Sequence, residues 1–333
     1  MKGGNKRLFI GIFAALIIML ALISVFALFI FRSHNLEYGA TFSPKYAQYL
    51  GLDWQTVFKD SVSDLEIHKY RIPVYWSDIE YADDQYDFER LDWIMNYAEE
   101  NNLLITLAIG VKVPRWPECY APSWADSFTD YNFDKSAIDF LAVIVNRYKD
   151  YESLERWQVE NEPYFPFGEC RAPSPERILS EITVVNNLDG NHPIQQTTSG
   201  EQSFWALQTS DTDVLGVSLY REAWSYATGE FVFPFSPMFY SVQRVLAEMF
   251  VDKVIISELQ AEPWLSSTTF ENTTESIDDY YNRFSAEDLV TNIRFAKRTG
   301  AREVYFWGIE WWYYLKDRGD TRLWEAGSQI INQ

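Results

Sequence analysis

From Tyr38 onward, apolar runs of strand length alternate with longer stretches of helical period, and the alternation repeats eight times. The runs are Tyr38–Ser43, Lys69–Trp76, Leu103–Gly110, Leu154–Glu162, Pro193–Ser199, Val214–Tyr220, Lys253–Glu258 and Glu303–Gly308. Leu103–Gly110 is apolar almost throughout, the pattern of a strand buried on both faces of a parallel sheet. Between the runs, Phe88–Asn101 carries Leu91, Ile94, Met95 and Ala98 at helical spacing. Further helices are predicted over Lys45–Leu65, Asp134–Asp150, Ser174–Asn187, Ser236–Phe250 and Ala286–Thr299, with Pro175 at a first helical position and Gly300 as a C-terminal cap. This order is the α/β pattern of a (β/α)8 TIM barrel. An open doubly wound sheet is the rival, but no Gly-rich phosphate loop follows the first strand. Three places fit less well. Pro73 lies inside the second strand, only about a dozen residues separate the fifth and sixth runs, and Leu265–Phe284 is acidic with no clear period, either a solvated excursion or a flap.

Residues Leu8–Phe31 carry no charge and are nearly all apolar, with Lys2, Lys6 and Arg7 before them and Arg32 after. As a helix they would span roughly 36 Å, enough for a hydrocarbon core of about 30 Å. A cleaved signal peptide has a shorter apolar region and a small-residue cleavage site, so an uncleaved signal anchor is the preferred reading. The basic N-terminal flank puts that end in the cytoplasm. The expected organisation is therefore a tail, membrane span and spacer over 1–37 and an extracytoplasmic catalytic domain over 38–333. In such a compartment Cys119 and Cys170, in loops after the neighbouring third and fourth strands, can form a disulfide. Two Cys and three scattered His make cysteine-based zinc binding improbable, and no cofactor or metal is called for. The net charge of −20 disfavours nucleic acid as a partner and serves solubility.

The chemistry concentrates at strand ends. Leu154-Glu-Arg-Trp-Gln-Val runs into Glu160, Asn161 and Glu162 and is stopped by Pro163, while Lys253-Val-Ile-Ile-Ser runs into Glu258. A poorly hydrated carboxyl at a strand end has its pKa pushed upward and can serve as a general acid. Two such glutamates on one rim of a barrel are the equipment for cleaving a glycosidic bond.

The ordered set Arg71, Asn161-Glu162-Pro163, Tyr220, Glu258 and Trp307 resembles clan A of the retaining glycoside hydrolases, over roughly residues 38–315. The stretch Trp76–Trp93 is similar to the early barrel of that clan's β-galactosidases and cellulases. The resemblance implies a retaining β-glycosidase acting on an oligosaccharide or polysaccharide. Glu258 would be the nucleophile, kept as a carboxylate by Arg71 and Tyr220, and Glu162 the acid/base. Asn161 would hold the sugar 2-hydroxyl and Trp307 would form the floor under the ring. The histidines that line some members' sites have no counterpart in His34, His68 or His192.

Other readings stand beside it. Glu262, also followed by proline, competes with Glu258, which is preferred because it directly ends an apolar run. Glu160 and Glu162 also fit salt-bridged rim residues. Trp76, Trp116, Trp264, Trp311 and Trp312 read first as packing residues. The alternative functions are a catalytically inactive glycan-binding barrel and a hydrolase holding a metal on Glu160, Glu162 and Glu258. A serine hydrolase lacks its Gly-x-Ser-x-Gly elbow.

Overall fold

The computed structural model describes residues 35–171, 173–209, 211–225, 229–264 and 276–332. Eight parallel strands close into a barrel: β1 (Glu37–Thr41), β2 (Lys69–Pro73), β3 (Leu104–Ile109), β4 (Leu154–Val159), β5 (Ile194–Thr198), β6 (Val214–Leu219), β7 (Lys253–Gln260) and β8 (Glu303–Trp307). Each strand pairs with its neighbours in sequence, and β1 closes the ring against β8 through Ala40↔Phe306. The expected α/β barrel is the observed one, because every run is apolar enough to be covered twice. All of Val214–Leu219 and Ile194–Thr198 is buried, with side chains alternating between the barrel interior and the helical jacket.

The departures have local causes. Strand β2 stops at Pro73, short of Trp76, and the chain turns into a short helix over Trp76–Ile79. Proline gives no N–H to a ladder, which suits it to a strand's last residue. The helical stretch Lys45–Leu65 is two helices, Pro44–Tyr49 and Trp54–Ser63, parted at Gly51, whose φ of 77° is left-handed. A 3₁₀ turn, Trp205–Leu207, takes the place of a helix between β5 and β6. In Leu265–Phe284, the helix Ile277–Arg283 is set by a capping box of Ser276 and Asp279, and residues 265–275 lie outside the described residues. Two helices, Ile309–Asp317 and Arg322–Ile331, close the chain.

At the N-terminal pole the barrel is closed by an ion cluster. Glu303 meets Arg156 and, at 2.7 Å, Lys253, while Lys69 reaches Glu155 at 3.0 Å. Burial pushes the Glu303 carboxyl up, but Arg156, Lys69 and Lys253 hold it near 2. At the other pole Cys119 and Cys170 form a disulfide, Cα to Cα 5.1 Å, tying the loop after β3 to the loop after β4. The expected membrane span, Leu8–Phe31, lies outside the described residues. Among the described residues, no helix is long and apolar enough to cross a membrane.

Candidate active site

Arg71, near the end of β2, is fully buried and spreads its guanidinium over three partners on β4, the turn after it, and β7. Nη1 donates to Glu258 Oε1 at 2.7 Å, Nη2 to Asn161 Oδ1 at 2.6 Å and Nε to Gln158 Oε1 at 2.6 Å. A buried cation is tolerated when its donors are satisfied in this way. Gln158 extends the network, accepting from Gln195 Nε2 at 3.0 Å and donating to the Glu160 carbonyl at 2.9 Å. Side chains from β2, β4, β5 and β7 are thus wired together inside the C-terminal mouth.

Glu258 does not end its strand, as the sequence had suggested; β7 continues to Gln260. A bulge between Ile256 and Glu258 shifts the register against β6, and a second shift against β8 falls between Ile256 and Leu259. A bulge breaks the inward-outward alternation and re-aims a side chain. Glu258 thereby reaches Arg71 with one oxygen and accepts from Tyr220 Oη at 3.1 Å with the other. Tyr220 is itself placed by its backbone N–H, which donates to Glu201 at 3.0 Å.

Beyond β4 the chain adopts left-handed φ values at Glu160 (59°) and Glu162 (43°), uncommon for residues with a side chain. The surroundings enforce them: the Asn161 N–H donates to the Lys112 carbonyl at 2.6 Å, and the Glu162 N–H to Thr197 Oγ1 at 2.8 Å. Strain of this kind persists only where the neighbourhood over-determines it, and it collects at functional sites. Glu162 is buried, and desolvation followed by repulsion from Glu258 pushes its carboxyl up to about 7 against the pull of Lys112 and Arg71. The upward shift expected for a carboxyl at this strand end is therefore present.

Glu160 turns the other way. Its carboxylate accepts from the N–H groups of Val111 (3.0 Å) and Lys112 (2.6 Å) and from Arg177 (3.2 Å), so it is a strut between β3 and β4. Gly110 leaves room for it, since a Cβ there would lie 2.8 Å from Glu160 Cδ. Glu262 belongs to a separate ion cluster, bound by Arg115, which also reaches Glu310 at 3.0 Å. The Arg115 guanidinium lies 4.2 Å from the ring centre of Trp307 and 3.9 Å from that of Tyr46. Trp307, half-buried at the end of β8, therefore has one face already occupied.

Of the other tryptophans, Trp76, Trp311 and Trp312 are core residues. Trp116 and Trp264 stand at the rim, where Phe167 touches both and Trp264 meets Tyr220 at 5.4 Å. Sequence reasoning passed over Gln158, Gln195 and Thr197, although polar residues in strands buried on both faces were a readable signal. Lys112, Glu118 and Glu201 lie in loops or at strand ends where nothing local marks them. Burial pushes the Glu118 carboxyl up to about 8, Lys112 opposing and Glu162 and Glu258 reinforcing.

No protein-family model and no curated protein sequence matches the chain. Solved structures do. The GH5_18 protein from Streptomyces cattleya, in complex with GlcNAc, superposes with a TM-score of 0.62 at 15% identity, over 90% of this chain and 80% of that one. The β-galactosidase from Bacillus circulans sp. alkalophilus gives 0.56 at 14% identity, over 90% of this chain and 55% of its own. The exo-β-1,4-mannosidase Op5Man5 from Opitutaceae bacterium strain TAV5 gives 0.54 at 16% identity, over 83% and 52%. This chain thus spans only about half the length of the last two. At these identities the likeness is one of architecture: the chain has the eight-stranded parallel barrel found in clan A glycoside hydrolases.

Proposed function

We propose that the domain is a retaining β-glycosidase that cleaves O-glycosidic bonds of an oligosaccharide or polysaccharide by double displacement. The observation that carries this reading is the pairing of two unlike carboxyls in one mouth. Glu258 is clamped by Arg71 and Tyr220, while Glu162, desolvated by burial and repelled by Glu258, has its pKa pushed up to about 7. Two carboxyls whose environments differ in this way divide into nucleophile and acid/base. Glu258 attacks the anomeric carbon, and Glu162 protonates the departing oxygen and then takes the proton of the incoming water. Asn161, whose Oδ1 already accepts from Arg71 and Thr197, donates to the sugar 2-hydroxyl from its Nδ2 amide. Trp307 offers the sugar the face that Arg115 does not cover. In this reading Leu8–Phe31 anchors the enzyme in the membrane with the barrel on the extracytoplasmic side.

The acid/base role has a distinct kinetic signature. Glu162→Ala is expected to lower kcat/KM for glycosides with poor leaving groups by about 10²- to 10⁴-fold. Aryl glycosides with good leaving groups, which need little protonation, should lose much less in the glycosylation step. The active form of Glu162 is the protonated one, so wild-type kcat/KM should be full below its pKa and fall as pH rises through about 7. That limb should vanish in Glu162→Ala with an activated substrate. An equal loss on all leaving groups would take the role away from Glu162. Glycan binding with no turnover by the wild type would leave an inactive binding barrel.

A further inference from the structure

Glu118 is a buried carboxyl at the mouth for which the double displacement has no use. It sits on a tight turn, its N–H donating to the Arg115 carbonyl at 2.7 Å, with a left-handed φ of 69°. The next residue, Cys119, is locked by the disulfide to Cys170, so the loop is pinned to the one that follows Glu162. Glu118 is only 6% exposed, and its Oε2 lies 3.3 Å from Lys112 Nζ without the alignment of a hydrogen bond. Lys112 directs two of its three protons at the carbonyls of Glu162 (3.0 Å) and Phe165 (2.9 Å), which leaves one on the side of Glu118. Apart from this ion pair with Lys112, Oε2 of Glu118 accepts from no aligned donor among the described residues. Buried polar groups almost always have partners, so an acceptor left open beside two reacting carboxyls points to a ligand that fills it.

Charge indicates what that ligand carries. Around the mouth stand six carboxyls, Glu118, Glu162, Glu201, Glu258, Glu262 and Glu310, all buried, against three buried cations, Arg71, Lys112 and Arg115. Each cation already faces a carboxylate. Glu262 Oε2 is a second buried oxygen without a hydrogen bond. Burial and mutual repulsion favour the protonated form of several of these carboxyls, Glu118 among them. A neutral sugar leaves them so, whereas an ammonium fills the open acceptor and lets Glu118 release its proton to solvent and pair with it as a carboxylate. We propose that Glu118 binds a protonated amino group on the substrate, so that the preferred class is glycosides of amino sugars whose nitrogen is not acetylated. The inference rests on the glycosidase reading and narrows its substrate.

The test uses the full-length protein and matched aryl β-glycosides of gluco, galacto and manno configuration, each as the 2-amino, 2-acetamido and 2-hydroxy sugar. For at least one configuration the wild type should favour the free amine over both others by tenfold or more in kcat/KM. In Glu118→Gln, which keeps the volume and removes the charge, that ratio should fall to near one. Calorimetric titration with glucosamine, galactosamine and mannosamine against their neutral parents reads the same preference as binding, independent of turnover. Equal or weaker handling of every amino sugar by the wild type overturns the inference, as does a preference that Glu118→Gln leaves intact. Neutral glycosides cleaved in a Glu258-dependent way would, in that case, leave the glycosidase reading standing. If nothing is cleaved, that reading falls, and the titrations alone decide on Glu118.

Discussion

Turnover of an activated aryl β-glycoside is expected to fall on the order of 10⁵-fold when Glu258 is replaced by glutamine. Glutamine keeps an oxygen for Arg71 to bind, so the loss reports the missing nucleophile rather than a collapsed site. Alanine at the same position opens a space beside the anomeric carbon. A small external nucleophile such as azide should enter it and give the product of inverted, α configuration. The same anion supplied to Glu162→Ala should instead attack the covalent intermediate from the opposite face and give the β product. Product configuration determined by NMR thus separates the two glutamates with no assumption about rates. Equal activity of wild type and Glu258→Gln on every glycoside would end the hydrolase reading.

The second large effect is on stability. Arg71→Met removes a buried cation that joins Glu258, Asn161 and Gln158, leaving the Glu258 carboxylate buried with Tyr220 as its remaining side-chain donor. Breaking one side of a buried pair costs about 3–5 kcal/mol. For a domain of this size that lowers Tm by roughly 10 °C. Lysine should rescue little, because one ammonium cannot reproduce three divergent N–H bonds. Thermal unfolding followed by circular dichroism measures both variants. A shift of less than about 2 °C for Arg71→Met would mean that the network contributes no net stability. Methionine should also lower turnover, since Glu258 and Asn161 would both lose the group that orients them.

These expectations draw on residues that the chain displays unequally. Asn161, Tyr220 and Glu258 were legible because each lies at or near the end of an apolar run, and parallel strands of a barrel bring such ends to one mouth; Arg71, third in the run Lys69–Trp76, was marked by the resemblance alone. The contacts of Glu258 with Arg71 and Tyr220 were implied by the resemblance and not by the local pattern, and the geometry that makes them was not legible. It depends on the β7 bulge that re-aims Glu258 and on left-handed turns at Glu160 and Glu162, none of which alters the hydrophobic pattern. Glu160 and Glu162 are two residues apart, identical in type and equally buried in a local reading. Only the tertiary structure gives one to the backbone N–H groups of Val111 and Lys112 and turns the other toward Glu258. The same holds for Glu258 and Glu262, which go to different cations, Arg71 and Arg115.

By itself, then, the sequence determined the barrel, the strand order and the rim on which the polar residues gather. Burial on two faces needs apolar runs of strand length, and that requirement is written locally in the chain. The tertiary structure decided which carboxyl meets which cation, which indole face stays open, and that Glu118 is buried against Lys112 beside a disulfide. Those outcomes hang on contacts between residues tens to hundreds of positions apart, where shifts of an ångström determine whether a charge is paired or bare.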